Sequence, residues 1–263
     1  SIRHKLHGPH YCTVSACASS NTAVIAAFDT IRLGRANIMI AGGSEAAITP
    51  ASVGGFNSAQ ALSKRNDEPQ KASRPFDKER DGFVIGEGAG ALILEEWEHA
   101  VKRGAPIHAE LVGGGMAADA YHLTGTPPDG LGAELGMKSA IAEAGITARE
   151  VTYVNAHATS TAQGDLSELH AIQKVFDGLS VTVSATKSMT GHLLGAAGAI
   201  ESIICALSVK QDRIPATINT TDPDEDAPSG PHLLLGHSLN TPVNYALNNT
   251  FGFGGNVAGS LFK

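Results

Sequence analysis

Three residues stand out for the chemistry that their types and positions allow: Cys17, His157 and His192. Cys17 lies in TVSACASSNTAV, where the apolar stretch Tyr11 to Val14 predicts a short strand. A helix should follow, with Val24, Phe28 and Ile31 on one face and Gly34 as its stop. A thiol at a helix N-terminus faces unpaired backbone N–H groups and the positive end of the helix dipole. The expectation is a lowered pKa and a populated thiolate. His157 follows the apolar run VTYVNA, and His192 follows VTVSA in ATKSMTGH, together with Lys187. Taken singly, such a cysteine is more often a buried core residue, and a lone histidine is more often structural. Here all three sit beside glycine or small residues, each expected beyond the carboxyl end of a strand. That placement predicts one crevice that gathers them.

The chemistry that fits is covalent catalysis on a thioester. A thiolate accepts an acyl group, and neutral imidazoles offer hydrogen bonds to a carbonyl oxygen as it gains charge. A second histidine suits a second task, holding the enolate left by a decarboxylating nucleophile. The loop TFGFGG (250–255) supplies backbone N–H groups that glycine lets approach closely, a partner for the Cys17 amide in an oxyanion hole. On sequence alone these glycines fit turn chemistry equally well. A simple Cys–His hydrolase would leave Lys187 and His192 without a task.

Strand and helix patterns alternate along the 263 residues, as in an α/β sheet protein. Strands are expected at Asn37–Gly43, Ala91–Glu96, from Ile107, at Val151–Ala156 and at Val181–Ala185. A C-terminal antiparallel pair should flank FGFGG. Helices are expected with Met137, Ile141 and Ala144 on one face, with Leu166, Leu169, Ile172 and Phe176 aligned, and with Ile200, Ile203, Ile204 and Leu207 aligned. A break near Gly104–Pro106 divides the chain into residues 1–105, with the thiol, and 106–263, with the histidines.

The apolar run Leu193–Leu207 is interrupted by Glu201 and reads as too short to span a bilayer, and no export signal is visible. Cys12, Cys17 and Cys205 lack CxxC spacing, which fits a reducing compartment and no thiolate metal site. The net charge of −7 argues against a nucleic-acid partner. Lys64–Asp81, with six basic and five acidic residues, reads as a solvated mixed-charge loop. GEGAG at Gly86 precedes a strand rather than a helix, unlike a nucleotide loop, and His4, His7 and His10 read as a mobile terminus.

Seven segments together resemble the β-ketoacyl-acyl-carrier-protein synthases of the thiolase-like superfamily, closest to the enzymes that elongate fatty acids in bacteria and plastids. They are SACASS, IAGGSEA, ALSKRNDEPQKASRPFDKERDGFVIGEGAGALILEE, DAYHLT, VNAHATSTAQGD, TKSMTGHLLGAAGAIES and NNTFGFGG, in the family's order over nearly the whole chain. The resemblance implies two related βα halves in α/β/α/β/α layers. It implies Cys17 as acyl acceptor, and His157 and His192 as the pair that decarboxylates a malonyl thioester. Lys187 would bond into the carboxylates Asp165 and Glu168. Thr159, Thr161, Phe56 and Phe253 would meet the substrate, Phe253 as a gate with Gly254 beside it.

Acyl carrier protein would be the partner, bringing its phosphopantetheine arm; no other cofactor and no metal are implied. A homodimer in the full-length form and a bacterial cytoplasm, plastid or mitochondrial matrix are also implied. Gln60 stands where relatives often have an arginine that helps dock the carrier. Only sixteen residues precede Cys17, where the family carries a long segment, so the first half is expected to be incomplete and the chain alone inactive or aggregated. A polyketide ketosynthase shares every one of these residues. A thiolase would need a second catalytic cysteine that neither Cys12 nor Cys205 provides, and a non-catalytic chain-length-factor-like subunit would have lost the nucleophile.

Overall fold

The structure is a computed structural model and describes residues 1–263. Most apolar runs form the strands they predict, with shifted ends. Strands β1 (Ile38–Glu45) and β2 (Gly88–Glu95) pair antiparallel as a small sheet, with Ile40 opposite Ile93. Then come β3 (Leu111–Ala118), β4 (Tyr153–Asn155), β5 (Thr182–Ser184), β6 (Arg213–Ile214), β7 (His232–Leu233), β8 (Leu239–Asn240), β9 (Ala246–Gly252) and β10 (Asn256–Phe262). Six of them build a mixed sheet in the order β3-β10-β9-β4-β5-β7. The expected C-terminal antiparallel pair is β9 and β10, while β4 runs parallel to both β5 and β9. The strand expected from Ile107 begins only at Leu111.

The helices are α1 (Ser19–Arg32), α2 (Pro50–Ser58), α3 (Trp97–Lys102), α4 (Leu131–Glu143), α5 (Ala162–Val175), α6 (Lys187–Thr190) and α7 (Ala197–Gln211). Helices α4 and α5 cover one face of the six-stranded sheet, where Met137, Leu169 and Ile172 meet Val154, Val183 and Leu247 in the main core. Helices α1 and α7 cover the other face and carry β1–β2 on their far side. The result is an α/β/α/β stack. The fifth layer of the expected arrangement is not formed, and the outer face of β1–β2 leaves Ile38, Ile40 and Ile93 exposed.

Small residues set the spacing of these layers. In β3, a Cβ on Gly115 would lie 2.1 Å from the Gly136 carbonyl oxygen of α4, and one on Gly114 would lie 2.7 Å from Ile25 of α1. The strand thus meets helix backbone on its α4 face and the Ile25 side chain on its α1 face. Gly115→Ala should lower the stability to unfolding by about 3 kcal/mol, the upper end of overpacking costs, because the obstacle is backbone and cannot rotate away. An unchanged urea midpoint would contradict this.

Four expectations need correction. Tyr11–Val14 is not a strand: no neighbour offers it a ladder, and Thr13 and Ser15 are tied instead to Ser19 and Thr22. The buried face of α7 is Glu201, Ser202, Cys205 and Ser208, not the isoleucine stripe, and Leu207 is exposed. Small residues let α7 press on α1, where a Cβ on Gly198 would lie 2.7 Å from the Asn21 nitrogen. The helical stretch Leu194–Gln211 does reach the length and hydropathy of a membrane span, yet half of it is buried inside the protein and it carries an ion-paired Glu201. Lastly, the second half of the Lys64–Asp81 loop is only partly solvated: Lys78, Glu79 and Asp81 are exposed. Phe76, Asp77 and Arg80 are buried, with Arg80 paired to Asp224 and Asp165.

Candidate active site

The chain enters the site through a strained turn. Ala16–Ala18 form a single 3-10 turn that runs into α1, and Ala16 has φ +50°, in the left-handed region. For a residue with a Cβ that conformation costs about 1–2 kcal/mol. The end of β9 passes directly over the turn. A Cβ on Gly252 would lie 2.4 Å from the Ser15 carbonyl oxygen and 3.0 Å from the Cys17 nitrogen, so only glycine fits. This contact brings the Phe253 N–H to the Cys17 sulfur, beside the N–H of Cys17 itself. These are the two backbone donors that an oxyanion hole built on Cys17 and TFGFGG would use.

Cys17 therefore stands before the cap of α1 rather than at the end of a strand, and its ionisation is opposite to expectation. Burial pushes the thiol up to about 11, against the smaller lowering effects of Lys187 and the two N–H groups. Because the raised pKa makes the thiolate the minor form, alkylation of Cys17 by a neutral reagent should rise about tenfold per pH unit between 7 and 10. Peptide-resolved labelling rates that level off below pH 8 would contradict this. Cys12 is exposed and should be alkylated by small reagents before Cys17, whereas Cys205 is a core residue whose thiol burial pushes up strongly.

His157 lies just beyond β4, on a loop held from beneath by α5. The backbone N–H groups of His157 and Ala158 donate to Glu168 Oε1 and Oε2 at 2.9 and 2.8 Å, and Asn249 Nδ2 donates to Oε1 at 3.0 Å. Ser160 and Thr161 N–H groups donate to Asp165 Oδ1 at 3.1 and 3.3 Å, and the Phe76 N–H to Oδ2 at 2.9 Å. Burial pushes Glu168 up to about 7 and Asp165 up to about 6, against the lowering effect of these donors. Their task is to fix the loop; neither lines the cavity.

His192 is not at a strand end but beyond α6. Its main chain is pinned to the segment before β2: His192 N–H donates to Val84 at 2.7 Å and Gly86 N–H donates back at 2.9 Å. A Cβ on Gly86 would strike the Thr190 oxygen at 2.5 Å, which gives the first glycine of GEGAG a packing role.

The two imidazoles meet edge to face, with centroids 5.2 Å apart and planes at 88°. Phe83 abuts His192 and Phe251 abuts His157, each at 5.2 Å. Phe56 extends the row from Phe83 toward Phe253. Burial, reinforced by the Lys187 charge, holds both histidines well below the ordinary imidazole range, so both are neutral at pH 7. Each Nδ1 is buried without a partner.

Lys187 is fully buried, and its ammonium pairs with Glu201 of α7 rather than with Asp165 or Glu168. Glu201 was legible only as an interruption of an apolar run.

Cys17, His157 and His192 line one cavity of about 210 Å³, together with Thr159, Thr161, Phe56 and Phe253. Thr159 and Thr161 hydroxyls lie 3.3 Å apart on one wall. Gly254 lies behind the lining, with its N–H on the Leu123 carbonyl. Sequence reasoning missed Phe83, Phe251, Asp119, Thr124 and Gln163, which also line the cavity. The two phenylalanines had a signal, since both sit in quoted motifs (RDGFV and FGFGG) next to glycines.

The geometry has counterparts. "Beta-ketoacyl synthase, N-terminal domain" matches residues 1–100, and "Beta-ketoacyl synthase, C-terminal domain" matches residues 108–221. The chain belongs to the β-ketoacyl synthase family. It is 49% identical to the 3-oxoacyl-[acyl-carrier-protein] synthase 2 of Vibrio harveyi over 100% of this chain and 64% of that protein. It is also 49% identical to the chloroplastic 3-oxoacyl-[acyl-carrier-protein] synthase I of Arabidopsis thaliana, over 98% of this chain and 55% of that one. Among solved structures, a ketosynthase bound to the hexaketide, in complex with its type II PKS acyl-carrier protein, superposes with a TM-score of 0.91. It is 41% identical and covers 94% of this chain and 61% of its own. This β-ketoacyl synthase chain thus spans less than two thirds of the length of each of these relatives.

Proposed function

We propose that the site performs decarboxylative Claisen condensation in fatty-acid elongation, as a 3-oxoacyl-acyl-carrier-protein synthase acting on acyl and malonyl thioesters. The observation that carries this reading is the pair of neutral imidazoles, packed edge to face, in the same cavity as the thiol. One histidine would serve a hydrolase; two neutral donors suit an enolate oxygen. In the first step, the Cys17 sulfur attacks the acyl thioester carbonyl, and the Cys17 and Phe253 N–H groups hold the oxyanion. The carbon–sulfur bond to the carrier breaks, and the thiol proton leaves with the departing thiol.

In the second step, the malonyl carbon–carboxylate bond breaks and carbon dioxide leaves. Its electron pair moves into an enolate whose oxygen is held by His157 and His192. The enolate carbon then attacks the acyl-Cys17 carbonyl, and the Cys17 sulfur leaves as a thiolate that takes a proton from solvent water. Thr159 and Thr161 would contact the phosphopantetheine arm, which the carrier brings, so the reading calls for no cofactor of the protein's own. The solved carrier-protein complex of a relative supports an acyl carrier protein as partner. The halves 1–105 and 106–263 are part of the same reading, supported by the seam between the two matched regions. Incubation with acyl- and malonyl-carrier protein should yield one carbon dioxide and a 3-oxoacyl product two carbons longer. Release of free fatty acid instead would point to a hydrolase.

A further inference from the structure

We propose that Ser19 is a positioning residue that latches the Cys17 turn, an inference that rests on Cys17 being the acyl acceptor. Its hydroxyl brackets the left-handed residue Ala16 on both sides. Ser19 Oγ donates to the Ala16 carbonyl at 2.7 Å and accepts the Ser15 N–H at 2.9 Å. The one hydroxyl proton and one lone pair are thus both spent on holding a conformation that the Ala16 side chain disfavours. Ser19 is itself fixed, because Thr13 Oγ1 donates to its carbonyl at 3.0 Å. Ser15 is steadied in turn by its hydroxyl contact with Thr22 at 2.8 Å.

Apart from the Ser19 hydroxyl, the turn is closed by backbone bonds from Ala18 N–H to the Ser15 carbonyl at 3.0 Å and from Ser19 N–H to the Ala16 carbonyl, and neither holds the Ser15 N–H on the far side of Ala16. Release of the latch lets Ala16 relax out of the left-handed region. The Ala16–Cys17 peptide then rotates, and with it move both the sulfur and the Cys17 N–H that the oxyanion needs. His157 and His192 sit on other segments and stay in place. The latch therefore affects acyl transfer and not the histidine chemistry.

The test compares the native protein with Ser19→Ala, Ser19→Thr and the double variant Ser19→Ala/Ala16→Gly. The readouts are Cys17 acylation by an acyl-pantetheine thioester, followed by peptide mass, and malonyl-carrier-protein decarboxylation. Ser19→Ala should slow acylation by about tenfold to a hundredfold at nearly unchanged KM, the range for sub-ångström to 1 Å misplacement of a reacting group. Decarboxylation should stay within about twofold of native. Ser19→Thr keeps the hydroxyl and should retain native rates. The double variant should recover acylation, because glycine adopts a left-handed φ without strain and needs no latch.

The proposal is overturned if Ser19→Ala acylates at the native rate, if both reactions fall together, or if glycine at position 16 gives no recovery. If Ser19→Ala is insoluble, the double variant decides alone: soluble and acylating supports the latch, insoluble or inactive contradicts it. Failure of the native protein to acylate at Cys17 would instead overturn the proposed function, and the latch with it.

Discussion

Replacing either His157 or His192 with alanine should depress malonyl decarboxylation by about 100- to 1,000-fold, while acyl transfer to Cys17 falls much less. That factor corresponds to about 2.7–4 kcal/mol, the worth of one preorganised oxyanion donor in a site that excludes water. The proposed role fits the state of each ring. Burial and the nearby Lys187 charge keep both imidazoles neutral. With Nδ1 enclosed and unpartnered, the tautomer protonated on Nε2 turns its N–H toward the cavity instead of burying it unsatisfied.

The pH profile is a second readout of the same claim. Both histidines have lowered pKa values, so they gain charge only well below 6.5. Decarboxylation should then be level from pH 8 down to 6.5. A loss centred near 6.5 would mean that at least one ring titrates as an ordinary histidine, and equal loss of acylation in both variants would favour a simple Cys–His base pair.

Lys187→Met should be the most destabilising single change at the site. It strands a buried Glu201 carboxylate whose second oxygen already lacks a partner. Breaking one side of a buried ion pair costs about 3–5 kcal/mol, whereas replacing both members by apolar residues is often tolerated. Lys187→Met/Glu201→Leu should therefore be more stable than Lys187→Met alone. The sign of the pH dependence follows from Glu201, whose pKa burial raises. A carboxyl raised in the folded state contributes stability that is complete below its unfolded pKa and lost as pH rises through its folded one. The single variant should thus regain stability on going from pH 8 to pH 5. Without the lysine charge both histidines should also titrate higher, so decarboxylation in this variant should begin to fall at a higher pH than in the native protein. Urea midpoints for native and variant that coincide at pH 8 would contradict this account.

The parts legible in the sequence are those encoded by local pattern. The strand runs at Ile38, Gly88, Tyr153 and Thr182, the hairpin around FGFGG, and helices α1, α4 and α5 all follow from apolar spacing and glycine stops. What was not legible depends on partners far away in the chain. Tyr11–Val14 has strand composition but no ladder to join. The face that α7 buries is chosen by the close approach of Asn21 and β9, so small and polar residues win over isoleucine. Glu201 looked like a defect in an apolar helix because its reason for being there, Lys187, lies fourteen residues earlier across a turn. The Cys17 expectation failed for a related cause. Helix-end electrostatics can be read from a sequence, but the desolvation that outweighs it comes from the surrounding cavity.

The central claim is that Cys17 alone accepts the acyl group. Of the three cysteines, Cys12 is exposed and away from the cavity, Cys205 is enclosed in the core, and Cys17 lines the cavity with both histidines. Proteolytic peptide mapping after incubation with an acyl thioester tests this directly. The account predicts a single acyl mass increment on the peptide carrying Cys17, absent from Cys17→Ala; an increment on Cys12 or Cys205, or one that survives Cys17→Ala, would contradict it.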